Sequence, residues 1–122
     1  MTLRVLAVDD SATMRQSVAL TLKQDDMEVM TADDGVDALS KVSAGFQADV
    51  VITDVNMPNM DGITLTAELR KVESYAKIPI IILTTESQAE KKQAGKSAGA
   101  TGWVIKPFQP DQLVAIVKKV AG

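Results

Sequence analysis

Five times along the chain a short run rich in Val and Ile gives way to a longer stretch whose apolar residues recur at helical spacing, and no linker-like segment interrupts the series. A chain that alternates in this way has one common solution, a parallel sheet with helices as the crossovers. The runs predict strands at Leu3–Val8, Glu28–Ala32, Asp49–Thr53, Pro79–Thr84 and Thr101–Ile105. Within the third and fourth, Val50-Val51-Ile52 and Ile80-Ile81-Ile82-Leu83 are apolar at every position. Strands that do not alternate must be covered on both faces, so these two belong in the middle of a doubly wound α/β sheet.

The intervening stretches carry apolar stripes at Met14, Val18 and Leu22; at Val36, Leu39, Val42 and Phe46; at Leu65, Leu69 and Val72; and most cleanly at Leu113, Ile116, Val117 and Val120. Such stripes mark helix faces that pack on a core, not binding surfaces. Ser11 and Asp34 have side chains suited to N-caps, Gly45 and Gly99 suit helix ends, and Pro110 suits a first helical turn. Right-handed crossovers put helices on both faces and gather ligands beyond the carboxyl ends of the strands.

A length of 122 residues fits one domain, here taken as 1–122, and 46% apolar with 24% charged residues is ordinary globular usage. Cysteine and histidine are both absent, which leaves carboxylates, hydroxyls and lysine to carry any chemistry. The start resembles no signal peptide and no apolar run approaches a membrane span, so the expectation is a cytoplasmic protein without a membrane partner; it is separately expected to be a monomer. The net charge of −3 is unevenly spread: residues 1–85 hold 7 Lys/Arg against 13 Asp/Glu (−6), and residues 86–122 hold 6 against 3 (+3). The acidic first part argues against nucleic-acid binding, whereas the basic last part could meet an acidic partner or could simply be solvated lysines.

The polar residues that chemistry could use follow the strands. The first strand runs into Asp9-Asp10, the third into Asp54, the fourth into Thr84-Thr85 and the fifth into Lys106-Pro107. If the first and third strands are neighbours, three carboxylates converge. Like charges about 5 Å apart repel by roughly 3 kcal/mol per pair at an effective dielectric of ~20. Protonation or a hard cation with oxygen ligands offsets such crowding, and magnesium, which uses few carboxylates and recruits phosphate oxygens, suits an open pocket. Asp54, alone at the end of a central strand, could then act as nucleophile to give an acyl phosphate, with Lys106 neutralising the transferring oxygens and the Thr84 hydroxyl donating to one of them. Each residue taken singly has a duller role as turn former, cap or solvated lysine; their gathering at four strand ends argues for the site.

With those positions in view, the chain resembles the receiver domains of two-component response regulators, of the single-domain chemotaxis type. The resemblance spans nearly the whole chain and rests on Val8-Asp9-Asp10-Ser11, on Asp54-Val55-Asn56-Met57-Pro58-Asn59-Met60-Asp61-Gly62, on Leu83-Thr84-Thr85-Glu86 and on Gly102-Trp103-Val104-Ile105-Lys106-Pro107-Phe108. It implies a five-stranded parallel sheet of order 2-1-3-4-5 flanked by five helices, and Asp54 as phosphoacceptor. Asp10, Asp54 and the Asn56 carbonyl become magnesium ligands, with Asp9 reaching the metal through water and Thr84 and Lys106 binding the phosphoryl group. It further implies a cis bond at Lys106-Pro107, side chains at Asn56 and Glu86 that tune dephosphorylation, and Trp103 in the place of a switching aromatic. The donor would be a phosphohistidine on a histidine kinase. The output would be a protein target such as a flagellar motor switch component, read through a face holding Trp103, Lys91, Lys92, Lys96, Lys118 and Lys119, with a phosphatase as a further partner. A relay intermediate or phosphate sink outside chemotaxis fits the same residues.

Two other classes share features of the chain. A flavodoxin-like cofactor module needs a Ser/Thr/Gly-rich phosphate loop after its first strand, where Asp9 and Asp10 would repel phosphate. An aspartate-nucleophile phosphohydrolase usually has a second Asp two residues after the nucleophile, where this chain has Asn56. The expectation is therefore self-phosphoryl transfer and autodephosphorylation without turnover of external esters.

Overall fold

The computed structural model describes residues 2–121. Its elements are β1 (Arg4–Val8), α1 (Ala12–Lys23), β2 (Glu28–Ala32), α2 (Gly35–Ser43), β3 (Val50–Thr53), α3 (Gly62–Leu69), a 3₁₀ turn at Glu73–Tyr75, β4 (Ile80–Thr84), α4 (Ala89–Ala98), β5 (Gly102–Ile105) and α5 (Pro110–Ala121). The sheet is parallel throughout with order β2-β1-β3-β4-β5. Strand order reverses at β1/β3, and the carboxyl ends of those strands open the crevice where ligands bind in such sheets.

The two apolar runs are central strands, as their lack of alternation requires. On one face Val5, Ala7, Val50, Ile52, Ile81 and Leu83 pack beneath α1 (Val18, Leu22) and α5 (Leu113, Val117). On the other, Leu6, Val8, Val51 and Ile80 pack beneath α2 (Ala38) and α3 (Leu65, Leu69). α4 lies beside α3, with Gly95 facing Ile82 and Trp103. Tyr75 is fully buried, and its hydroxyl donates to the Phe46 carbonyl while accepting from the Ala48 amide at 3.0 Å. Burial raises its pKa above the ordinary tyrosine value.

Ser11 and Asp34 cap α1 and α2 by accepting from the amides of Met14 and Asp37, and Gly99 closes α4 in the left-handed region at φ 108°. Pro110 is the first residue of α5. Gly45 also has φ 108°, one residue beyond the C-cap of α2. Four strands begin one residue later than the apolar runs suggest, at Arg4, Val50, Ile80 and Gly102. The α2 stripe needs correction: Val36 is 52% exposed, and the buried residues of this nine-residue helix are Gly35 and Ala38. Phe46 is buried beyond the helix end, beneath Arg4, whose guanidinium carbon is 4.6 Å from the ring centre. α4 carries no apolar stripe at all, since Gly95 is its only buried residue.

Candidate functional site

Register builds the site. Val8 of β1 is paired with Thr53 of β3, so the next residue of each strand, Asp9 and Asp54, leaves the sheet at the same level. The amide of Asp9 donates to the Ala32 carbonyl and that of Asp54 to the Val8 carbonyl, continuing the ladder to its last rung. On the far side Thr84 is paired with Ile105, and the Lys106 amide donates to the Thr84 carbonyl at 2.8 Å. Asp9, Asp10 and Asp54 each offer a carboxylate oxygen within 4.8 Å of the others. Asp10 is exposed, whereas Asp9 and Asp54 are 6% and 9% exposed.

Lys106 Nζ donates to Asp9 Oδ2 at 2.8 Å and to Asp54 Oδ2 at 3.3 Å. Burial pulls the lysine pKa down, but the hydrogen bond to Asp9 and the charges of Asp54 and Asp9 outweigh it, and the net direction is upward. The carboxylate triad is therefore not bare. One partly buried cation already bridges two of its members. The Lys106–Pro107 peptide bond is cis.

The remaining oxygens have distinct partners. Asp9 Oδ1 accepts from the Ser11 amide at 2.9 Å and Asp54 Oδ1 from the Val55 amide at 2.7 Å. Thr84 is fully buried, and its hydroxyl oxygen accepts from the Glu86 amide at 3.2 Å. Asn56 is exposed in the loop after Asp54, and Glu86 is half-buried with its carboxylate accepting from the Gln88 amide at 3.3 Å.

The predicted output residues separate into groups. Trp103, Lys92 and Lys96 line one groove of about 290 Å³ with Ala100, Thr101 and Gly102. Lys91 and Lys119 are exposed, and neither lines that groove. Lys118 is turned elsewhere, with Nζ 2.5 Å from Asp25 Oδ2 beyond the end of α1. The i, i+1 pair Lys118-Lys119 points in two directions on a helix, which their adjacency in the sequence conceals.

Several residues that hold the site receive no role from the sequence. Arg15 Nη1 donates to the Asp9 carbonyl at 2.6 Å, and its Nη2 lies 3.4 Å from Asp33 Oδ1, fixing the β1 end from α1. Asn59, at φ 67°, donates from Nδ2 to Asp34 Oδ2 at 2.7 Å and ties the loop after Asp54 to the N-cap of α2. Hydrogen bonds from the Asp37 amide and from Asn59 hold the Asp34 pKa below its ordinary value. Gly62 folds back against Asp54 so closely that a Cβ there would lie 1.8 Å from the Asp54 carbonyl oxygen. The Asn59 and Gly62 constraints are visible in sequence only as turn residues in the loop.

The model of the response regulator receiver domain matches residues 5–118. The chain is 37% identical over 121 residues to the chemotaxis protein CheY1 of Helicobacter pylori, covering 98% of both chains. It is 36% identical over 123 residues to the CheY homolog of Campylobacter jejuni, covering 98% of this chain and 93% of that one. Among solved structures, chemotaxis protein CheY4 of Vibrio cholerae superposes with a TM-score of 0.93 at 47% identity, covering 98% of this chain and 99% of that one. With a matching domain model, these relatives and the β2-β1-β3-β4-β5 sheet, the chain belongs to the response regulator receiver domain family and is of the CheY type.

Proposed function

We propose that this receiver domain is a magnesium-dependent phosphoacceptor switch in a two-component pathway, that Asp54 takes the phosphoryl group, and that the pathway is chemotaxis. The observation that carries the reading is the meeting of Asp9, Asp10 and Asp54 within 4.8 Å, with Lys106 spanning two of them and Thr84 at the neighbouring strand end. Names of the relatives support the chemotaxis assignment.

The donor set fits a hard divalent cation, being all oxygen and crowded, with one carboxylate, Asp10, exposed to solvent. Asp10, Asp54 and the Asn56 carbonyl would hold magnesium, with Asp9 acting through water. Bound there, the ion supplies positive charge to the phosphoryl oxygens and helps orient them. The Asp54 carboxylate oxygen forms the new P–O bond as the P–N bond of a kinase phosphohistidine breaks, and the leaving imidazole nitrogen takes up a proton. Lys106 turns from its carboxylate partners to a phosphoryl oxygen, and the Thr84 hydroxyl donates to another. Asn56 and Glu86 border the route of hydrolytic water and set the lifetime of the acyl phosphate. The output is a changed affinity for an acidic, amphipathic segment of a target protein at the groove of Trp103, Lys92 and Lys96.

Intact mass after mixing with magnesium and acetyl phosphate tests the central step. Wild type should gain one phosphoryl mass and Asp54→Asn none. An unlabelled wild type or an equally labelled variant would end the reading. Sustained turnover of a generic phosphomonoester would favour the hydrolase, and labelling that changes no candidate target's affinity would favour a relay or sink.

A further inference from the structure

α4 buries little of its own sequence. Gly95 is its only buried residue, and its N-cap, Gln88, makes no side-chain capping bond, whereas Ser11, Asp34 and Asp61 each cap their helices. Besides its packing beside α3, two side chains pin it. At its C-terminal end Arg70 donates to the Gly99 carbonyl from Nε at 3.1 Å and from Nη2 at 2.8 Å. At its middle, the backbone of Gly95 rests on the indole of Trp103 so closely that a Cβ would lie 2.8 Å from Cζ3 and 3.2 Å from Cε3.

The opposite edge of the same indole is also held. Trp103 Nε1 donates to the Glu86 carbonyl at 2.9 Å, and the Glu86 amide donates to the Thr84 hydroxyl oxygen at 3.2 Å. The Trp103 ring is thus a strut. Its pyrrole edge is fixed to the loop after Thr84, and its six-membered edge is seated on α4 where a side chain is missing. Glycine in a helix interior weakens the helix relative to alanine, so its presence at a buried position calls for a local reason, and the indole supplies one.

We infer that Gly95 is a positioning residue for the switch, the seat through which Trp103 carries a displacement of the Thr84–Glu86 loop to α4. The inference rests on the phosphoacceptor reading for the displacement and on geometry alone for the seat. When the Thr84 hydroxyl engages a phosphoryl oxygen, the Glu86 peptide moves with it and the indole tilts against Gly95. A methyl group at Gly95 would instead displace the indole from the outset and detach its N–H from Glu86.

Because Trp103 is the sole tryptophan, its emission reports this contact without interference. Without phosphodonor, Gly95→Ala should shift the emission maximum to the red and raise acrylamide quenching relative to wild type. It should also lower the melting temperature in the wild-type background and raise it in a Trp103→Ala background. There the hole is empty, only the flexible tip of Ile82 at 3.2 Å must give way, and alanine is the better helix former. With magnesium and acetyl phosphate, the phosphorylation-linked change in emission should be smaller in Gly95→Ala at equal labelling by mass. Unchanged emission in the unphosphorylated variant, or the same loss of melting temperature in both backgrounds, would overturn the seat. Equal emission responses at equal labelling would overturn the positioning role. An unlabelled wild type would instead fail the phosphoacceptor reading, and the mass spectrum separates that failure from the other two.

Discussion

Lys106 Nζ lies 2.8 Å from Asp9 Oδ2, an ion pair that reaches from the end of β5 across β4 and β3 to the end of β1, with side chains 10% and 8% exposed. The same ammonium lies 3.3 Å from Asp54 Oδ2, so one cation holds two buried carboxylates. Crowding at the site is therefore divided unequally, with Asp10 carrying the part that no protein cation offsets.

Removing the bridging cation should be strongly destabilising. Lys106→Met leaves two facing carboxylates buried without their partner, and breaking a buried pair in this way costs about 3 kcal/mol. Urea denaturation in metal-free buffer should show this loss, and saturating magnesium should restore part of it. The folded pKa of Lys106 is raised, so its contribution is fully present below the ordinary value of 10.5 and is lost as pH rises through the higher folded value. On the alkaline side the gap between wild type and variant should stay constant through neutral pH, narrow from pH 10.5 upward and be closed above the folded value.

Asp10→Asn should act in the opposite direction. It removes the exposed member of the triad, which among the described contacts has neither a salt bridge nor a side-chain hydrogen bond, and so relieves repulsion at little loss. In metal-free buffer its melting temperature should rise by an amount equivalent to about 1 kcal/mol. Under the proposed magnesium binding, the added ion should stabilise wild type through its folded state and stabilise the variant far less. A fall in melting temperature without metal would mean that Asp10 has a favourable partner.

The tether from Asn59 to Asp34 predicts an acid-side effect. Asp34 has a lowered folded pKa, so its contribution to stability is present above the ordinary value of 3.8 and is lost as pH falls through the lower folded value. Asn59→Ala removes one of the two leading hydrogen bonds responsible. The Asp34 pKa, read by carboxyl-carbon NMR titration, should move toward its ordinary value; the stability gap to wild type should narrow below pH 3.8, leaving the pH-independent part that alanine at φ 67° costs.

Arg70 should behave as a structural clamp. Besides the Gly99 carbonyl, it donates from Nη1 to the carbonyls of Tyr75 at 2.8 Å and Ile78 at 2.7 Å, joining α3, the 3₁₀ turn and the end of α4. Burial lowers its pKa without removing the charge. Arg70→Met preserves much of the apolar stem but orphans three carbonyls, a loss of ~3 kcal/mol by chemical denaturation. Hydrogen exchange should accelerate first at the C-terminal turn of α4.

Much of this protein is legible in its sequence because its strongest signals are local. Val50–Ile52 and Ile80–Leu83 announce central strands without help from the rest of the chain, and the N-caps at Ser11 and Asp34 bond only three residues ahead. Placing Asp9, Asp10, Asp54, Thr84 and Lys106 at strand ends needs only that alternation, and the fold rules bring the ends to one edge. Val36 misled because periodicity gives a residue's angle around a helix but not whether the sheet extends beneath it. The two directions of Lys118 and Lys119, and the seat of Trp103 on Gly95, depend likewise on neighbours distant in sequence.

The sequence by itself determined the order of the elements, the edge of the sheet where the chemistry gathers and the residue types available there, since period, apolarity and capping act over a few residues. Only the tertiary structure decided how the charges pair. Whether Lys106 meets Asp9, Asp54 or solvent depends on electrostatic competition between strand ends about a hundred residues apart, where a few tenths of an ångström and the exclusion of water choose the partner.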